Sequence, residues 1–263
     1  MKINFLLSVI LVFVFGGRSF ACESATCPLL PEMDKSALKI ALEYEQIDQV
    51  ETLNRRGLIN AQWSPFSNYF VRMELPYVFR EHTHTHHGEV ETWKISGPGD
   101  VWLILDNASI ENIGIHGGIK LPTGKTDAKN SEGEEAEVAI QPGSGSTDYF
   151  FGASFDTDLF RSGIGYQISG VGKKGWKNGN VAVASIGKEF RVDSSLRLGV
   201  TAFYKNEATP DAGATGESTS NFGGSWIYVS PSVTYQAFSA LVQWPVSGST
   251  LAWNLRTGVS LEL

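Results

Sequence analysis

The chain has 263 residues, of which 28 are glycine and 11% aromatic, and a formal charge of −7. That acidic balance excludes a nucleic-acid binder, which needs a basic face. Beyond the N-terminal leader no run of eighteen apolar residues occurs, so no helical membrane span is expected.

Residues 1–21 read as a secretory signal peptide. Lys2 gives a positive start, residues 6–15 are apolar, and Ser19-Phe20-Ala21 puts small residues at −3 and −1. Cleavage after Ala21 removes Lys2 and Arg18, which takes the charge from −7 to −9. A lipoprotein reading with Cys22 acylated is weaker, because Ser19 and Phe20 fit such a site poorly. Cys22 and Cys27 are the only cysteines; a small disulfide loop and two free thiols are both open to them. Residues 22–36 contain Pro28 and Pro31 and show no period, so they read as an irregular periplasmic or plug-like lead-in.

From residue 37 onward the pattern is strand after strand. Leu38, Ile40, Leu42 and Tyr44 alternate with Lys39, Ala41, Glu43 and Glu45. Residues 49–57 are polar and read as a loop, and residues 58–64 alternate again. Over 69–80, Tyr69, Val71, Met73, Leu75, Tyr77 and Phe79 share one face, opposite Arg72, Glu74 and Arg80. Residues 81–91 read as a loop holding four of the five histidines. Residues 92–107 form a strand interrupted by Gly97-Pro98-Gly99-Asp100, a bulge or kink signal.

Residues 113–123 read I-G-I-H-G-G-I-K-L-P-T, with Ile113, Ile115, Ile119 and Leu121 on one face and His116 and Lys120 on the other. Residues 124–145 make the longest loop, acidic and glycine-rich. Its acids Asp127, Glu132, Glu134, Glu135 and Glu137 read as a solvated face, with a divalent cation shared with anionic lipid headgroups as the alternative. Strands follow at 146–156, 160–169, 180–192, 196–205, 222–236, 238–246 and 251–263. Both faces are mixed in 150–155 and 180–190, and the pattern orients neither.

Twelve strands result, joined by tight turns on one rim and mostly longer loops on the other. A soluble β-sandwich has no reason to sort its connections in this way. A closed antiparallel outer-membrane barrel does, with short periplasmic turns and long extracellular loops. Closure is also forced physically, since hydrocarbon leaves the backbone of an open edge unpaired. Pro76, Pro122, Pro231 and Pro245 lie within strand-like runs and call for bulges or rim positions.

Four motifs carry a family resemblance: E-L-P-Y at 74–77, G-P-G-D at 97–100, G-G-I-K-L-P-T-G at 117–124 and Q-P-G-S-G-S-T-D at 141–148. With S-P-S-V-T-Y at 230–235, they resemble the outer-membrane barrel transporters named for the meta-pathway of phenol degradation. The resemblance implies a barrel that admits small molecules, hydrophobic or aromatic ones among them, and it brings no catalytic residues. Leu263 departs from it, since such barrels commonly end in an aromatic.

If the apolar faces meet lipid, the lumen receives Glu43, Arg72, Glu74, His116, Lys120, Arg197 and Arg256, together with Lys39, Glu45 and Arg80. Both charge signs are present, so a selective constriction and a plug of ion pairs are equally open readings. His116 reads as a hydrogen-bonding lumen residue, since no motif places a serine or an acid beside it. His82, His84, His86 and His87 form the alternative site. Neutral imidazoles at strand spacing suit zinc or copper, which would make the chain a surface metal-binding protein. An enzyme acting on lipid would need a His–Ser pair on an outward face, and none is visible.

The expected function is therefore passive transport of a small solute across a Gram-negative outer membrane, without catalysis and without a resident cofactor. The expected partners are outer-membrane lipid and lipopolysaccharide, the barrel-assembly machinery and the solute.

Overall fold

The computed structural model describes residues 38–48, 52–66, 68–86, 89–130, 133–215, 223–248 and 253–262, with the side chains of 84–86 and 89–91 outside that description. The signal peptide, the 22–36 segment, Cys22, Cys27, Glu132 and His87 also lie outside it. Thirteen strand segments are present: β1 (Leu38–Asp48), β2 (Thr52–Phe66), β3 (Tyr69–His86), β4 (Glu89–Pro98), β5 (Val101–Ile110), β6 (Ile113–Leu121), β7 (Asp148–Asp156), β8 (Arg161–Ile168), β9 (Val181–Arg191), β10 (Leu196–Glu207), β11 (Gly224–Tyr235), β12 (Phe238–Gly248) and β13 (Trp253–Glu262).

The strands pair antiparallel in sequence order, except that β4 and β5 both pair with β3, and β1 pairs with β13 from Lys39↔Glu262 to Asp48↔Trp253. The ladder therefore closes on itself. β4 and β5 are two halves of one stave. Glu74 of β3 faces Trp102 of β5, and Tyr77 faces Pro98 of β4. Three steps along β3 thus oppose four on the partner, which is the signature of a bulge. The G-P-G-D motif supplies that extra residue, and the barrel has twelve staves.

The strand prolines sit where the ladder breaks. Pro76 lies between the β5-paired and β4-paired halves of β3, and its carbonyl accepts from Gly99 N at 2.9 Å. Pro245 pairs with Tyr228, next to the register shift between β11 and β12, and Pro231 faces a gap in that same ladder. Pro122 follows the end of β6. Each missing N–H falls where no regular donor is required.

Two expected loops are instead strand. Residues 52–57, read as loop, extend β2, and 53–57 pair with Asp48 through Tyr44 on β1. Residues 81–86 extend β3, with His82↔Trp93 and His84↔Glu91. Cross-strand partners override the polar composition in both places, because a hairpin arm needs no apolar face to keep its hydrogen bonds. The histidine stretch is thus a β-arm rising from the rim, and not a loop.

Side-chain burial is inverted relative to a soluble protein. Leu42, Ile59, Leu105, Ile115, Phe151, Ile164, Ile186 and Leu261 are exposed on the outer surface, while Lys39, Glu43, Glu45, Asp106, His116, Lys120, Asp148, Arg197 and Arg256 are buried inside. Aromatics band both rims. Trp63, Phe66, Tyr69, Phe155, Phe190 and Tyr235 lie towards the short turns, and Tyr149, Tyr166, Tyr204 and Trp244 towards the long loops. An apolar belt between aromatic girdles suits a lipid bilayer and would aggregate in water. No described helix is long and apolar enough to cross a membrane.

The two strands left unoriented resolve by an interior apolar wall. Phe150 points inward and packs with Trp102, Ile104, Val181, Val183 and Phe203. Gly165 and Gly152 make room for it: a Cβ at Gly165 would lie 2.6 Å from the Phe150 ring. The lumen is apolar on this side, so alternation of polarity disappears there.

Arginine at Ile115, on the outer face, is expected to cost about 2–4 kcal/mol if the site lies near the bilayer midplane. Equilibrium unfolding of Ile115→Arg in phospholipid vesicles checks this, and a loss indistinguishable from zero would place that face away from lipid.

Candidate functional site in the barrel lumen

The lumen charges form four separate groups. Near the β1–β13 seam, Arg256 donates through Nε to Glu43 at 2.7 Å, and Arg56 of β2 pairs with Glu45. Asn254 Nδ2 adds donations to Glu45 at 2.9 Å and to Gln243 at 3.0 Å. Further round the wall, between β3 and β5, Arg72 grips Asp106 with two hydrogen bonds of 2.5 and 2.9 Å. Arg197 pairs with Glu189 at 3.0 Å near the short-turn rim. Lys120 meets Asp148 at 2.5 Å and Asp100 at 3.7 Å.

All seven predicted lumen residues point inward, and six of them have found partners of opposite charge or a hydrogen bond. Glu74 is the exception. Among the described residues it has no ion pair and no hydrogen bond, and it borders a cavity. Their partners Asp106 and Glu189, and Arg56 beside Glu45, were not singled out in the sequence, and Asp100 and Asp148 appeared there only as motif residues. Arg56 was hidden by the misread loop. The aspartates lie at inward positions of the alternation in β5 and β7, or in the bulge.

His116 has the companions its sequence context did not reveal. Its Nδ1 lies 2.6 Å from Asp106 Oδ1 and its Nε2 lies 3.3 Å from Ser154 Oγ. The order Asp–His–Ser matches the connectivity of a nucleophilic triad. Asp106 and His116 are each under 2% exposed, and Asp106 is also clamped by Arg72. The chain of bonds links β5, β6 and β7 across the strands.

The motifs of the family resemblance converge on one structure. The bulge turns Asp100 inward, where its carboxylate accepts from Gly124 N at 2.9 Å, Ser144 N at 2.7 Å and Ser144 Oγ at 2.6 Å. Gly124 and Gly143 touch through their backbones, so a Cβ on either would fall within 2.6 Å of the other's chain. Lys120 donates to Ser144 Oγ at 2.8 Å, and Asp148 accepts from Ser146 Oγ, Gln167 Nε2 and Gly170 N. The loop joining β6 and β7 is thereby pulled over the lumen.

That loop was expected to be solvated, and Asp127, Glu134, Glu135 and Glu137 are exposed, but its apolar residues are not. Ala128, Ala136, Val138 and Ile140 are buried, and Ala128, Ala136 and Ile140 pack against Ile95 of β4. Gln141 staples the fold: its Oε1 accepts from Ala128 N, and its Nε2 donates to the carbonyls of Ala128 and Ala136. Two neighbouring loops join it. Lys173 Nζ donates to Thr126 O at 2.6 Å and to Glu135 at 2.9 Å, and Lys177 and Asp211 exchange backbone hydrogen bonds of 2.9 Å. The result is a stitched lid.

Beneath the lid lies a cavity of about 210 Å³, lined by Arg56, Glu74, Arg80, Trp102, Lys120 and Trp176 among others. A wider recess of about 670 Å³ opens at the short-turn rim, bordered by Asp156, Arg161, Glu189 and Arg191. Between them, His116, Thr201, Ser230 and Thr234 have almost no water-accessible surface. The lumen is narrow at its middle.

The histidine arm gathers no metal set among the described residues. His82 Nδ1 instead shares a 2.8 Å hydrogen bond with Thr52 Oγ1 of β2. The side chains of His84 and His86, and all of His87, lie outside the described residues.

No known family model matches the chain, and no curated protein matches it. Solved structures do. An outer membrane channel from Pseudomonas putida F1 is similar with a TM-score of 0.61 at 10% identity, covering 87% of this chain and 97% of that one. The β domain of the Bordetella autotransporter BrkA is similar with a TM-score of 0.52 at 8% identity, covering 88% and 100%. These likenesses establish the fold, a twelve-stave antiparallel barrel of the outer-membrane type.

Two expectations follow. Asp148→Ala leaves Lys120 buried without its 2.5 Å partner, which is expected to cost about 3–5 kcal/mol in urea unfolding. Replacing the pair together, as Lys120→Met with Asp148→Leu, is expected to recover part of that loss. The lid tie is pH-dependent in a definite direction. Hydrogen bonds from Lys173 and Lys174 hold the Glu135 carboxyl below its ordinary 4.5. A depressed folded value means the tie is complete above that pH and is lost as pH falls through the lower value. Protection factors, exchange rates corrected for the intrinsic pH dependence, at residues 126–130 and 133–137 are expected to be steady from about pH 8 to pH 5 and to fall near pH 3. In Glu135→Gln the pH step should vanish.

Proposed function

We propose that this chain is an outer-membrane channel that passes a small solute through its lumen. One observation carries the reading: a closed barrel wears an apolar surface outside, holds charged side chains inside, and has recesses at both ends of the lumen. A barrel needs no such interior merely to sit in lipid, and a hydrophobic filling would give a firmer plug. The similar P. putida structure is that of an outer membrane channel. The autotransporter likeness shows that the same fold serves other ends, so fold alone does not decide.

On this reading the long loops and the lid face the medium, the short turns face the periplasm, and the leader at 1–21 directs export. Assembly would require the barrel-assembly machinery, and lipopolysaccharide would meet the upper apolar belt. The apolar wall of Trp102, Ile104, Phe150 and Phe203 favours a solute with an apolar or aromatic part over a strongly hydrated one. The resemblance to the phenol meta-pathway transporters points the same way. A metal-binding surface role has no supporting observation among the described residues, and nothing in the lumen calls for a catalytic role.

Refolded protein in planar bilayers is expected to give small, discrete conductance steps, because the middle of the lumen is narrow. Cutting the lid tie with Glu135→Lys, which sets like charges beside Lys173 and Lys174, should raise the frequency of open events. A bilayer that stays silent for both proteins over the full voltage range would contradict the channel.

A further inference from the structure

Among the described residues, one cation lining the cavity under the lid has no ion-pair partner. Arg56 is paired with Glu45 and Lys120 with Asp148, so two of the three cations lining the cavity are neutralised. Arg80 is different. Among the described residues its guanidinium meets only two backbone carbonyls of the lid, Gln141 O at 3.3 Å and Ala139 O at 3.5 Å. Its Nε is buried and has no partner. A buried guanidinium with an orphaned N–H and two long contacts is under-satisfied in both charge and hydrogen bonds. An anion would supply both, through the paired donors that a guanidinium presents to a carboxylate.

The remainder of the cavity limits what that anion carries. Trp102 lies directly across the sheet from Glu74 on one side and Lys120 on the other, and all three border the space. Trp176, 2% exposed, lines it from the lid. Glu74 has no ion-pair partner among the described residues and occupies the Trp102 end of the site, six residues along β3 from Arg80. The buried, unpartnered Nε of Arg80 draws the charged group to that end, leaving its apolar body against the indole of Trp102. A cavity of about 150 Å³ accommodates a benzene ring, and this one measures about 210 Å³.

We propose that the cavity is a binding site for a small organic anion, its charged group held by Arg80 and its planar apolar body resting on Trp102. The assignment deepens the channel reading, since it makes the cavity a stopping point on the solute's path. Binding is therefore measured apart from conductance, so that the two can fail separately.

Calorimetry on the full-length barrel in detergent compares sodium benzoate with its neutral isostere benzamide. Benzoate is expected to bind at least about tenfold more tightly, as a charge-assisted bidentate contact implies. Arg80→Gln should abolish that preference, and Arg80→Lys should retain part of it. Heat-modifiable gel migration confirms that each variant is folded. Equal affinity of the wild-type protein for the two compounds would overturn the site, as would a preference that survives in Arg80→Gln or the absence of any binding. If Arg80→Gln does not fold, the wild-type contrast and Arg80→Lys still decide the matter. A benzoate preference in a barrel that never conducts would sink the channel and leave the site standing.

Discussion

Everything in this molecule follows from the cost of an unpaired backbone group in hydrocarbon, where no water is present to compensate. That constraint requires β1 to find β13, which closes the barrel wall. It also decides where irregular residues are tolerated. Pro76, Pro231 and Pro245 occupy breaks in the ladder, and the bulge at Gly99-Asp100 sits opposite one of them. A missing donor and an extra residue fall at the same level of the barrel wall, so one discontinuity accommodates both.

The bulge then does a second job. By admitting one extra residue it aims Asp100 into the barrel, and Asp100 is the anchor for the loop between β6 and β7. The lid follows from this anchor together with the close Gly124–Gly143 backbone contact and the Lys120–Asp148 pair. The interior charges are arranged in local, mostly neutral groups spread around the wall. Neutral grouping keeps the desolvation of each charge tolerable. It also sets apart Glu74 and Arg80 at the cavity, which have no ion pair among the described residues.

The twelve staves, their facing and the sorting of connections were legible because a barrel wall with lipid outside and charge inside writes strict alternation into β1, β3 and β6. Legibility failed where that contrast vanished. Phe150 is as apolar as Phe151, so β7 offers no polarity difference between its faces, although only Phe150 is buried. Arg55, Arg56 and the histidines 82–86 looked like loops because the rim and the arm carry polar residues on strands held by neighbours rather than by a core. The lumen residues were readable one at a time from periodicity. Their partnerships were not, since Asp106, His116 and Ser154 come together only through the register of three strands. The anchoring role of the glycine-rich motifs was likewise invisible, because it depends on a contact between residues 100, 124 and 143 that no local pattern encodes.

The central claim is the inversion, lipid outside and an ionic lumen inside, and β6 tests it most directly. Spin labels placed singly at residues 113 through 121 in liposomes report collisions with membrane-dissolved oxygen. The account expects a period of two, with high oxygen access at Ile113, Ile115 and Ile119 and low access at Gly114, His116 and Gly118. A flat profile, or the opposite phase, would contradict it.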